Sequence, residues 1–395
     1  MPAAERLLAP DLARGVALLG IALANSVYYI SGRTTGPLGR PVDGTAGDHV
    51  ADVLVGLFVD NRAFPLFTIL FAYGFTVLLR RQAALGVPAA RARALLLRRS
   101  LWVAVFGAVH IALLFEGDVL FSYGCLGIVL ALLFAARDRT WIVLGWSLAI
   151  VPVLASGVDA LAFGAADTEL PGIDPSTAGG ALAFRLLALV LLIVGSPFNV
   201  ATLLSLAVIG TILGRRQVLE RPTEHVLLFR RLAVVGLPVS VLGALPLVLA
   251  AVQAWQPPGW ALYLLGVLHG TTGVAGALAT FGLVGWFVAH RHGAAGVAQG
   301  AGGAPASATP PGPVVRALVA VGRRSLTCYL LQSVLFVPLL APWALGLGVG
   351  AGTLEVSLIA VGVWLVTVGV AVLLDRAGRP GPAEQLLRRL TYGRR

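Results

Sequence analysis

His110, Glu116 and Asp118 fall within one short stretch, Gly107-Ala-Val-His110-Ile-Ala-Leu-Leu-Phe-Glu116-Gly-Asp118. An imidazole beside a carboxylate is what a general base requires, because the carboxylate sets the tautomer and stabilises the imidazolium that forms. The same spacing also fits a histidine hydrogen-bonded inside a helix bundle beside a carboxylate-capped turn. His110 lies eleven residues beyond Arg99, about 16 Å along a helix at 1.5 Å per residue.

Other polar groups interrupt otherwise apolar sequence. An ionisable side chain within a membrane span costs about 2.5 to 3.5 kcal/mol on insertion scales, so each is a functional candidate. Asn25, Arg62, Arg185 and His269 are of this kind. The Asn25 amide suits either a substrate carbonyl or a neighbouring helix. Arg62 suits a substrate anion or an ion pair with Asp118, and the ion pair is the simpler role. Asp48, His49 and Asp52 precede it, in a pattern of a short amphipathic helix before a Pro-initiated span. Asp11 and Arg14 are one helical turn apart, and Arg98 and Arg99 add positive charge on the same side, which fits a phosphorylated donor or helix-end anchoring. His269, Tyr329 and Gln332 are expected to face one cavity or to bond between helices.

Several chemistries are unsupported. All 29 basic residues are Arg, so a Schiff-base lysine and a phosphate loop of the GK[ST] type are excluded. No histidine pair has metal-ligand spacing, and neither a Gly-x-Ser-x-Gly elbow nor a dinucleotide loop occurs in strand-to-helix context, so no metal is expected. Cys125 and Cys328 both lie in apolar segments and form no disulfide framework.

The elements that position these groups must be membrane helices. The 395 residues are 58% hydrophobic and 12% charged, with a mean hydropathy of +0.89. That combination excludes an ordinary soluble domain and predicts an all-α polytopic membrane protein. About ten apolar runs are long enough to cross a bilayer. They lie near 12–30, 60–80, 100–115, 119–136, 140–162, 182–213, 232–254, 260–289, 316–340 and 353–374. The sixth is overlong and carries Ser196-Pro197, read as a kink freeing carbonyls near the midplane. Arginines concentrate in alternate connections, 80–99, 214–231, 290–324 and the stretch after 375, which places both termini in the cytoplasm of a multi-pass plasma-membrane protein. The same clustering assigns the +11 net charge to membrane flanks and argues against a nucleic-acid partner. The run from Leu12 to Ile30 has no small-x-small cleavage site, so it is expected to remain as the first span. Gly293 to Pro313, rich in Gly, Ala and Pro, reads as a flexible cytoplasmic linker. It divides an eight-helix bundle, 1–292, from a two-helix segment with a cytoplasmic tail, 314–395, that packs on the same bundle.

Several blocks carry a resemblance. Asp11-Leu-Ala-Arg14-Gly15 through Asn25, Phe67-Thr-Ile-Leu-Phe-Ala-Tyr-Gly74-Phe, and Gly107 through Gly124 are similar to the motifs of the YeiB-like family, whose C-terminal part is catalogued as domain of unknown function 418. Gly322-Arg-Arg-Ser-Leu-Thr327-Cys-Tyr329-Leu-Leu-Gln332 and Gly381-Pro382-Ala-Glu384 through Gly393 resemble its C-terminal signatures, with Gln385 where the family usually has Trp. The Asp-x-x-Arg-Gly helix and the helical layout in turn resemble transmembrane acyltransferases, including the heparan-glucosaminide acetyltransferase group. That group has an Asn in its first span, matched by Asn25, and a histidine in the outer segment after it, where only His49 stands near.

The resemblance implies transfer of an acyl group from a cytoplasmic thioester, acyl-CoA as co-substrate, to a hydroxyl or amine of a small-molecule or glycan acceptor at the outer face. No tightly bound cofactor is implied. Arg14, Arg98 and Arg99 would take the donor phosphates, Asn25 the thioester carbonyl, and His110 or His49 the acceptor proton, oriented by Asp118 or Glu116. Arg62, His49, His269 and Gln332 would contact substrate. The alternative is a small-molecule transporter or exporter using the same polar groups at the bundle centre.

Overall fold

The computed structural model describes residues 8–163, 173–300 and 311–393. Among the described residues the architecture is helical. In order the helices are α1 Leu8–Ser26, α2 Ala46–Phe58, α3 Ala63–Ala84, α4 Ala89–Leu113, α5 Leu120–Leu132, α6 Asp138–Leu148, α7 Ile150–Phe163 and α8 Ala178–Val194. After these come α9 Ser196–Arg215, α10 Val226–Ala251, α11 Gly259–Gly300, α12 Pro313–Arg323, α13 Ser325–Leu340, α14 Thr353–Arg376 and α15 Pro382–Tyr392. Helices satisfy their backbone groups internally, which is the condition for crossing a hydrocarbon layer.

Eight helical stretches among the described residues are long and apolar enough to span, and α5, α8 and α13 are shorter apolar helices. Large hydrophobics such as Trp146, Val194, Leu242 and Trp260 stand exposed on the outside of the bundle. In water such a surface would aggregate; against acyl chains it is stable. The chain is thus built as a multi-pass membrane protein.

Three expected runs are each divided in two. The run 140–162 divides at Ala149, between α6 and α7. In 182–213 the chain breaks at Gly195, and Pro197 sits in the first turn of α9, where its missing N–H costs nothing. From there α9 needs 20 residues to reach Arg215, about 30 Å. The break therefore lies at the far end of the bundle from Arg215 rather than at its midplane. In 316–340 the backbone leaves helical geometry at Arg324 (φ −121°, ψ 32°), separating the short α12 from α13. The Arg324 guanidinium holds that corner by bonding the Arg379 carbonyl and the Asp375 carboxylate. At the expected linker, α11 continues to Gly300, and 301–310 lie outside the described residues.

Charge segregates to the two ends. At one, the arginine-rich end, Asp11 pairs with Arg14 and Arg323, Arg80 with Glu220, and Arg215 with Asp138. At the other, Arg33 pairs with Asp43, and Arg40 with Asp52 and Asp60. In the bundle between them, α1 packs against α3, α12, α13 and α14. The α4–α5 hairpin closes tightly because Gly107 has no side chain: a Cβ there would stand 2.0 Å from the Phe121 backbone nitrogen.

Candidate functional site

The close α4–α5 contact brings His110, in the last turn of α4, level with Asp118, just before α5. His110 Nδ1 is 2.9 Å from Asp118 Oδ1. Asp118 Oδ2 accepts from the Phe121 amide at 2.9 Å, a free donor at the start of α5. A third donor arrives from α13, the Tyr329 hydroxyl, 2.8 Å from Oδ1. All three side chains are buried. An ionised carboxylate only accepts, so Nδ1 carries the proton and Nε2 presents its lone pair. His110 Nε2 is buried with no partner among the described residues. The arrangement is a tautomer-fixed imidazole with an unused basic nitrogen, as a proton acceptor requires.

Tyr329 also walls a chamber of about 470 Å³ that runs to the arginine-rich end. Its inner part is aromatic, with Phe67, Phe71 and Tyr123, and the Tyr123 hydroxyl is 3.0 Å from Thr68 Oγ1. Its mouth carries Arg14, Arg81, Arg99 and Arg323 beside Asp11 and Glu384. Gly74 leaves room for Arg14, whose guanidinium reaches the Leu70 carbonyl at 3.4 Å. The C-terminal helix α15 completes the wall with Leu387 and Tyr392. Its Glu384 accepts from the Leu326 and Thr327 amides at the start of α13, at 2.8 and 3.1 Å. A guanidinium-rich mouth over an apolar interior suits an anionic head on an apolar tail.

A second polar assembly occupies the opposite end. Arg62 donates to Ser240 Oγ at 3.0 Å, to the Ser240 carbonyl at 2.9 Å and to the Gly56 carbonyl at 3.2 Å, and its Nη1 is 3.2 Å from His269 Nε2. Arg40 is buried between Asp60, at 2.6 Å, and Asp52, at 3.5 Å. Another chamber, about 430 Å³, opens here, lined by Tyr28, Asn61, Asp159 and His269 among others.

The residues singled out from the sequence divide among these places. His110 and Asp118 meet. Glu116, in the same turn, bonds neither; burial raises its carboxyl above the ordinary range, partly opposed by Arg185. Arg14 and Arg99 share the chamber mouth, whereas Arg98 is exposed outside it. Asn25 is half-buried on α1 and lines neither chamber. Arg62 does not pair with Asp118, contrary to the sequence expectation; packing places it against α10 and α11, while Asp118 is held by His110 and Tyr329. His49 lies 3.9 Å from Asp52 on α2, which packs on α10 and α14, so it joins the Arg40 network. Gln332 bonds the Leu18 carbonyl of α1 at 3.2 Å, and His269 is at the other end with Arg62, so the two share no cavity with Tyr329. Sequence reasoning passed over Arg81 and Arg323, counted only as flank charge, and Asp159, an acid inside an apolar run that the cost of buried charge marks out.

Residues 213–394 match a family model described as protein of unknown function (DUF418). That C-terminal part, a little under half of the chain, is similar to the DUF418 family. The YeiB-like assignment is thereby supported, and the DUF418 segment brings Tyr329, Arg323, Glu384 and His269 to the two chambers. His110, Asp118 and Arg14 precede it. The chain is similar to the uncharacterized protein YxaH of Bacillus subtilis (strain 168), 29% identical over 166 residues, 39% of this chain and 40% of that protein. It is also similar to an uncharacterized 39.9 kDa protein in the amylase 3' region of Bacillus acidopullulyticus, 34% identical over 127 residues, 32% of this chain and 33% of that protein. The matches thus span well under half the length of either relative. No solved structure matches.

Proposed function

We propose that the protein is a membrane acyltransferase that takes an acyl group from a cytoplasmic thioester, acyl-CoA, and gives it to a hydroxyl or amine at the outer face. In this reading the arginine-rich end is cytoplasmic, as are both termini, in a plasma-membrane protein of about ten spans. Arg14, Arg81, Arg99 and Arg323 receive donor phosphates, and the aromatic interior takes the pantetheine arm and acyl chain. The acceptor reaches His110 from the other side. His110 Nε2 takes its proton as its oxygen or nitrogen attacks the thioester carbonyl. The carbon–sulfur bond breaks, and the leaving thiolate collects the proton from the imidazolium. Asp118 stabilises that imidazolium. Arg98 and Asn25 have no part in this reading.

The observation that carries it is the Tyr329–Asp118–His110 chain, which joins the wall of an arginine-mouthed chamber to a histidine with an unpartnered basic nitrogen. The test is thiol release from acyl-CoA by proteoliposomes supplied with acceptor. His110→Ala is expected to slow it about 10²- to 10⁴-fold, the usual contribution of general-base catalysis; an unchanged rate overturns the assignment.

The second chamber, at the opposite end, favours a second reading, a transporter alternating between two polar sites. Solute flux through proteoliposomes without any acyl donor would select it.

A further inference from the structure

The chamber opposite the arginine-rich end holds a donor and an acceptor that no partner among the described residues uses. A guanidinium only donates, so the Arg62 contact makes His269 Nε2 the acceptor and leaves the proton on Nδ1. His269 is fully buried in the chamber lining, and that Nδ1–H has no acceptor among the described residues. A buried donor left without an acceptor is destabilising, so its persistence points to a group that arrives from outside.

Asp159 lines the same chamber with an exposed side chain, and no cation pairs with it among the described residues. Arg40 and Arg62 are already engaged with Asp52, Asp60 and Ser240. Tyr28 and Asn61 line the same chamber, adding an aromatic ring and an amide. The placement of the pair is rigid. The Ser156 hydroxyl and Ala160 side chain, on α7, stand where Cβ atoms on Gly270 and Gly266 would be, 2.0 and 2.5 Å away, so α7 and α11 are in direct contact.

We infer that this chamber binds a small amino alcohol: its ammonium sits on the Asp159 carboxylate over the Tyr28 ring, and its hydroxyl oxygen accepts from His269 Nδ1–H. Where the acyltransferase reading holds, this ligand is the acceptor, and the inference names its class; binding itself does not depend on that reading.

The test is calorimetric titration of the purified full chain, without acyl donor, using ethanolamine, ethylamine and ethylene glycol. Ethanolamine is expected to bind saturably, and each probe lacking one group to bind at least about tenfold more weakly. Asp159→Asn is expected to weaken ethanolamine by about tenfold or more, the scale of a lost charge-assisted hydrogen bond, with an unchanged denaturation temperature because the side chain is exposed. Equal affinity of the variant, or ethylene glycol binding as tightly as ethanolamine, overturns the inference. A free amine and a lipid headgroup share this chemistry. Displacement of ethanolamine in phosphatidylethanolamine nanodiscs, absent in phosphatidylglycerol nanodiscs, supports the site with a lipid occupant; binding alike in both supports it with a free one. The donor is absent throughout, so failure here leaves the His110 experiment standing, and failure there leaves this one.

Discussion

Asp118 receives three donors at once, from His110, Tyr329 and the Phe121 amide, and it decides what the imidazole can do. Removing one donor tests the arrangement gently. Tyr329→Phe keeps the ring that walls the chamber and deletes only the hydroxyl, so the protein is expected to fold with about 1 to 3 kcal/mol less stability, the cost of a lost hydrogen bond to a charged group. Thermal denaturation in detergent reads that loss. Acyl transfer should fall in parallel, since Asp118 then rests on two donors. How much of this was legible follows from chain distance. His110 and Asp118 are eight residues apart across one turn, so their meeting was open to reading. Tyr329 bonds Asp118 across 211 residues and Arg62 meets His269 across 207, and no local pattern specifies such a pairing. The expectation that Arg62 would neutralise Asp118 failed for that reason. The sequence does not say which helix face each occupies.

The helices that hold these residues were easier to read than their ends. Long apolar runs marked α1, α3, α4, α10, α11 and α14 directly, because crossing a bilayer imposes a minimum length. Runs containing a hidden boundary are not legible as such: 140–162, 182–213 and 316–340 each hold two helices, and hydropathy does not register a backbone break at Ala149, Gly195 or Arg324. Close helix contacts do leave a trace in small residues. Gly107→Val is expected to force α4 and α5 apart, because the atom it meets is backbone and cannot rotate away. A loss of about 3 kcal/mol or more, or failure to accumulate folded protein, should appear on denaturation. Acyl transfer should be lost with it, since the His110–Asp118 contact depends on that approach.

At the scale of the molecule, two charged ends separated by an apolar belt imply a fixed orientation in the bilayer. Introduced cysteines in a Cys125→Ser background, where the remaining Cys328 is buried, report it. Asp43→Cys, in the exposed network opposite the arginine-rich end, should react with an impermeant maleimide on intact cells, and Arg98→Cys only after permeabilisation; the reverse pattern would place the arginine-rich end outside. The same architecture makes α15 more than a terminal flourish. Through Glu384 it is clasped to the first turn of α13, the helix that carries Tyr329, while Leu387 and Tyr392 face the chamber. Any purification handle or fluorescent fusion placed after Tyr392 would therefore tug on the wall of that cavity. A kinetic assay on such a fusion would report the handle's strain along with the protein's own chemistry.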